Sequence, residues 1–201
     1  MPFSTEFIYG YREDDYYKGE GMRIRNALKT IQKYGDPYEK DCPGNHNYEK
    51  ASEKVNKKVE ELKSLAIYNR VSSYYRCNSP EEIKTALMKH GPVLISMNTY
   101  KDAKIKKDVY TYSSNEQSGC HCVMIYGWNE KGWLIQNSWG LLHAGDGRFI
   151  LPFDFKINEA WGVSDDITDI KTKQSNQFLD IVYKVYNQVV NFLLNLFNRT
   201  E

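Results

Sequence analysis

Apolar residues recur at helical spacing from Met22 to Tyr34, where Met22, Ile24, Ala27, Leu28 and Ile31 share one side and Gly35 follows as a stop. This predicts a helix over that stretch. Upstream, Pro2 to Asp15 mixes aromatic and charged residues without a clear period. Asp36 to Asn47 holds two prolines and a glycine and reads as loop. Tyr48 to Leu62 is rich in lysine and glutamate, which predicts an exposed helix or ordered loop, and Leu65 to Tyr75 reads as a strand. Ser79-Pro80-Glu81-Glu82 is a helix start: a capping hydroxyl, proline at the first helical position, and acids in the first turn. That helix runs to about Lys89 and is broken by Gly91-Pro92. Short strands are then expected at Val93–Met97, Val123–Tyr126, Gly132–Gln136 and Arg148–Leu151, joined by glycine turns.

The tail has a different pattern. From about Ser175 to Arg199, Phe178, Val182, Val185, Val189, Phe192 and Leu196 fall at alternating spacings of four and three. Further apolar residues widen that face, so a helix here must bury more than one side. Two regions are therefore expected. Residues 1–169 form one domain, and 170–201 form an apolar helix packed on that domain, on a partner, or on a second copy.

Composition narrows the function classes. The 201 residues carry 27 Lys+Arg and 26 Asp+Glu, a net charge of +1. Such balance argues against a dedicated nucleic-acid surface, which needs clustered positive charge. No run of eighteen apolar residues exists to span a membrane. No basic segment followed by an apolar one opens the chain, so a cytoplasmic location is expected. Four cysteines make a weak disulfide case. Cys42 and His46 have a loose ligand spacing that no second pair completes, so no metal and no cofactor is expected.

Chemistry concentrates in two segments, Gly119-Cys-His-Cys-Val-Met-Ile-Tyr-Gly-Trp128 and Asn137-Ser-Trp-Gly140. They follow a helix and a Gly-Pro-Val strand, and precede Gly145-Asp-Gly-Arg-Phe149. This order resembles the second half of a papain-like cysteine peptidase. The resemblance spans roughly Phe3 to Asp166 and is strongest from Lys84 to Leu151. It implies an α+β fold with an incomplete left lobe and a barrel-like right lobe. It also implies that His121 is the general base and Asn137 the residue that orients it, with Gly19, Gly21, Met22 and Trp139 as substrate contacts.

The family's thiol nucleophile and oxyanion glutamine come from a Gln-x-x-x-Ser-Cys-Trp segment at the start of a central helix. No such segment occurs in these residues. Phe3 to Tyr9 resembles the stretch that follows that helix, so the expected fold is truncated at its N-terminus and lacks the nucleophile helix. Cys120 and Cys122 flank His121 on a strand, so their side chains leave by the opposite face and are expected in the core. Cys42 and Cys77 would need a new geometry to serve. After Asn-Ser-Trp-Gly the family's second Trp-Gly is replaced by Leu141-Leu142-His143-Ala144-Gly145, which puts the far substrate wall in doubt.

Three functions follow as expectations. The first is a proteolytically inactive homologue that binds peptide or protein. The second is an active cysteine peptidase completed by a nucleophile segment from another chain or upstream piece. The third is an interaction module acting through the C-terminal helix.

Overall fold

The computed structural model describes residues 1–12, 21–44, 48–140 and 144–164. The expected helix over Ser175–Arg199 and the residues 141–143 lie outside that set. Two compact units emerge, with chain boundaries at Tyr74/Tyr75 and Val163/Ser164.

The first unit is helical. Helix α1 (Thr5–Gly10) is capped by Ser4, whose Oγ accepts a hydrogen bond from the Phe7 N–H at 3.1 Å. Every residue of α1 is buried. That explains why no amphipathic period marks it: a helix covered on all sides has no polar face to alternate. Helix α2 (Ile24–Tyr34) ends at Gly35 as the period predicted. The lysine- and glutamate-rich stretch divides into α3 (Tyr48–Lys57) and α4 (Val59–Ala66). Neither is merely exposed. Ala51, Val55, Leu62 and Ala66 are almost fully buried, at spacings of four and seven that keep one stripe inward. α1 lies against α3 so closely that a methyl at Gly10 would come within 2.5 Å of the Ala51 carbonyl oxygen.

The strand expected at Leu65–Tyr75 is corrected. Helix continues to Ala66, Ile67 and Tyr68 point to solvent, and β1 (Ser73–Cys77) begins late. The inward stripe that ends at Ala66 outweighs the loose alternation of Leu65, Ile67, Val71 and Tyr74.

The second unit is built on one mixed sheet. After β1 come α5 (Pro80–His90), β2 (Val93–Tyr100), β3 (Lys104–Lys106), β4 (Val109–Thr111), β5 (Gln117–Asn129), β6 (Gly132–Gln136), the short α6 (Ala144–Gly147), β7 (Arg148–Leu151) and β8 (Ile157–Ser164). The sheet order is β1-β8-β2-β5-β6-β7-β4-β3. Ser79 caps α5 by accepting from the Glu82 N–H at 3.2 Å. The β3–β4 hairpin turns through Lys107 and Asp108, both at positive φ. Such turns usually advertise themselves with Asn-Gly, and this one does not. The core face of the sheet carries Ile83 and Ala86 of α5 against Val93, Ile95, Met97, Val123, Ile125 and Ile135.

One irregularity decides what the site contains. Met124 pairs with Gln136 and Ile125 with Ile135, yet Gly127 pairs with Leu134. Tyr126 is therefore an extra residue, a bulge in β5. Beyond a bulge the alternation of faces switches. From Ile125 backwards the odd residues face the core cluster: Ile125, Val123 and then His121.

Candidate functional site

His121 and Asn137 come from adjacent strands. Continuing the register from Met124↔Gln136 sets Val123 opposite Asn137, so His121 is the diagonal neighbour of Asn137 on the same face. Diagonal neighbours on a sheet are within reach of long side chains. His121 Nε2 lies 2.8 Å from Asn137 Oδ1. Both residues are buried, at 5% and 3% exposure.

The direction of that bond can be deduced. Asn137 Oδ1 also accepts from the Ser138 backbone N–H at 2.7 Å. A backbone N–H only donates, so the atom facing it is the amide oxygen. Flipping the amide would set Nδ2 against the Ser138 N–H, donor facing donor, and lose that contact. An amide oxygen only accepts, so Nε2 of His121 carries the proton. In the neutral ring Nδ1 is then the basic nitrogen. Trp139 stacks on the imidazole, with ring centroids 4.6 Å apart and planes at 23°. Trp139 is 41% exposed and His121 5%, so the stacked Trp139 lies on the solvent side and shields His121 from water. A hydrogen bond shielded in this way is stronger than one in water.

Backbone contacts hold Asn137 in place. Its N–H donates to the Gly147 carbonyl at 2.8 Å. Gln136 Nε2 donates to the Asn137 carbonyl at 3.1 Å and to the Gly147 carbonyl at 3.3 Å. Ser138 is part of the Asn-Ser-Trp-Gly motif, but nothing in the sequence marks Gln136. The Ser138 role is a local N–H to the Asn137 side chain, while that of Gln136 appears only once β6 and β7 are side by side.

Gly19, Gly21 and Met22 are the other expected contact residues. Gly19 is outside the described residues. Gly21 and Met22 belong to the first unit. Gly21, at φ +98°, donates its N–H to the Tyr9 hydroxyl at 2.8 Å, and its carbonyl accepts from the Arg12 guanidinium. Both of its backbone polar groups are thus engaged internally.

The cysteines sort by face. Cys122 is buried, and burial pushes its thiol well above the ordinary value. Cys120 corrects the expectation of a core residue: it is exposed, 3.2 Å from Ser96 Oγ and 3.3 Å from Asn158 Nδ2, where the sheet's outer face turns polar. Both flank His121 and leave by the other face. Cys77 is buried at the end of β1, and burial raises its thiol too. β1 is separated from β5 by β8 and β2, about 14 Å at the usual strand spacing. Cys42 is buried in the first unit, its thiol likewise raised by burial. Among the described residues no three His, Cys, Asp or Glu side chains converge on a metal position, and no helix is long and apolar enough to cross a membrane.

Comparison with known proteins adds to this geometry. The family profile described as "Papain family cysteine protease" matches residues 13–158. The chain is similar to cathepsin B-like cysteine proteinase 1 of Ostertagia ostertagi, 26% identical over 135 residues that cover 65% of this chain and 33% of that protein. It is similar to cathepsin B-like cysteine proteinase 3 of Caenorhabditis elegans, 35% identical over 122 residues that cover 56% and 32%. It thus spans about a third of the length of these curated relatives. Among solved structures it resembles xylellain, a cysteine protease from Xylella fastidiosa, with a TM-score of 0.68 at 20% identity, over 82% of this chain and 70% of that one. At that identity the likeness shows the fold, α+β and papain-like.

Proposed function

The chain belongs to the papain family of cysteine proteases, and on that premise we propose that it carries the general-base side of a peptidase centre but does not hydrolyse peptides as these 201 residues alone. The observation that carries this reading is the fixed His121–Asn137 pair in a unit whose thiols are placed away from the imidazole: Cys120 and Cys122 leave β5 by the opposite face, and Cys77 sits in β1, with β8 and β2 between it and β5.

The division of labour follows from the tautomer. Hydrolysis needs a thiolate to attack the carbonyl, a base to take and return its proton, and donors to hold the oxyanion. Asn137 holds Nε2–H, which leaves Nδ1 of His121 to exchange the proton with a thiol and then with the leaving amine. Trp139 keeps water from the pair. Peptide or protein is the class of molecule such a centre accepts, with Gly19, Gly21, Met22 and Trp139 as proposed contacts. Losing a nucleophile that acts as a unit with its base costs on the order of 10⁶ in turnover.

The test uses the whole chain with broad fluorogenic peptide substrates and an irreversible thiol-directed epoxide. No hydrolysis and no labelling that depends on His121 are expected. Hydrolysis abolished by His121→Ala, with one cysteine labelled, overturns the reading. The ordered pair favours one second reading: a base competent to work once a thiol is supplied from another chain or an upstream piece. Adding a peptide of the Gln-x-x-x-Ser-Cys-Trp type separates the two. Turnover that appears with this peptide and needs both its cysteine and His121 establishes the second.

A further inference from the structure

We propose that Gln136 is a positioning residue: it sets the orientation in which the Asn137 amide meets His121, with Arg148 and Asp146 as its outer brace. This rests on reading His121–Asn137 as the functional pair.

Asn137 lies one residue beyond the last ladder pair of β6, so the register sets the face its side chain takes but no ladder hydrogen bond fixes its carbonyl end. The amide plane that faces His121 must be held by something else. Its N–H is anchored to the Gly147 carbonyl at 2.8 Å. Its carbonyl is anchored by Gln136 Nε2 at 3.1 Å, and the same nitrogen donates to the Gly147 carbonyl at 3.3 Å. One side chain thus clamps both ends of the peptide bracket around Asn137. Gln136 is itself aimed: its Oε1 accepts from Arg148 Nε at 3.1 Å, across the Gln136↔Arg148 register pair. Arg148 is held in turn by Asp146 at 3.3 Å and by the face of Tyr126, 5.5 Å from its centroid.

Gly147 completes the clamp. It sits at φ +76°, and a methyl there would lie 3.0 Å from the Gly140 carbonyl oxygen and 3.3 Å from Gln136 Nε2. A side chain would press on the donor that holds Asn137. Gln136 touches neither His121 nor any reacting atom, so it acts through Asn137 alone. Removing the clamp frees the Asn137 backbone to rotate, and Oδ1 leaves the line of Nε2.

The experiment reads the His121 ring directly in the full chain. Ring nitrogens are labelled with ¹⁵N, and the ratio of Nε2–H to Nδ1–H tautomer is taken from their shifts in the neutral form. The His121→Gln variant assigns the signal among the four histidines. Gln136→Leu should lower the ratio about fivefold, the size of one net hydrogen bond. Leu87→Ala, a packing defect against the same core, should lower the melting temperature and leave the ratio unchanged. If Gln136→Leu does not fold, Arg148→Met, a change at a half-exposed side chain, should move the ratio the same way by a smaller factor. An unchanged ratio in a folded Gln136→Leu, or in Arg148→Met where the first fails to fold, overturns the proposal. So does an equal shift in Leu87→Ala. The readout needs no turnover, so a chain that proves to have another function can still show the clamp. A chain that proves to hydrolyse peptides can equally show an unchanged tautomer.

Discussion

Two glycines at positive φ separate backbone strain from steric collision, and the hairpin that aligns His121 with Asn137 depends on one of them. Gly91 closes α5 at φ +96°, and a methyl there would meet nothing within 4 Å. Gly132 opens β6 at φ +153°, and a methyl there would lie 2.2 Å from the Leu151 carbonyl oxygen and 3.0 Å from the Pro152 Cα. Alanine at Gly91 costs only the unfavourable dihedral, about 1–2 kcal/mol. Alanine at Gly132 costs a similar dihedral term and must also push apart β6 and β7 backbone, which no rotamer change can relieve. A total above about 4 kcal/mol is expected, within the range reserved for named structural faults. In a protein of this length each kcal/mol shifts the melting temperature by about 2–4 °C. Gly91→Ala should therefore lose a few degrees and Gly132→Ala at least about 8 °C. Hydrogen exchange gives the local view: amides of β5, β6 and β7 should lose protection in Gly132→Ala and keep it in Gly91→Ala. Equal shifts for the two variants, or unchanged exchange across β6, would refute the collision argument.

Asp36 is buried beside Glu39, and desolvation followed by that like charge raises its carboxyl well above the ordinary 3.8. The folded state then holds this proton more tightly than the unfolded one, so the stabilisation is full below that value and is lost as pH rises through the raised one. Asp36→Asn should flatten this loss and be the more stable at neutral pH; parallel melting curves from pH 4 to 8 would contradict it. A mild thiol reagent on the native protein should titrate Cys120 and spare Cys42, Cys77 and Cys122, with all four reacting after unfolding. Native labelling that persists in Cys120→Ser would show that a buried thiol is reached. Ser79→Ala removes the cap of α5 and should cost about 1 kcal/mol, read as a small fall in denaturation midpoint. A midpoint that does not move would mean that Glu82, which accepts from the Asn78 N–H at 2.6 Å, suffices to hold the helix start.

Local signals carried well where the responsible interactions are local. Ser79, Pro80 and Gly91 bracket α5 in the sequence as in the structure, and β6 and β7 start and stop where the apolar runs do. α1 was illegible because complete burial erases periodicity, and the β3–β4 hairpin because Lys107-Asp108 carries no turn signature. The spacing of His121 and Asn137 in a family pattern was legible. That Asn137 orients the imidazole was implied by the resemblance, but which ring nitrogen meets the amide oxygen was not legible, because that depends on register.

The sequence by itself determined the family, the α+β class and the identity of an imidazole and an amide on neighbouring strands. Which β5 side chains face the core was decided by a single inserted residue. Without the bulge at Tyr126, Cys120 and Cys122 would share the core face with Ile135, and His121 would point away. The bulge exchanges them, so the ring meets Asn137 and Trp139 while Cys120 stays at the surface. The choice is a property of two paired strands and their closing turn, so no window along one strand contains it.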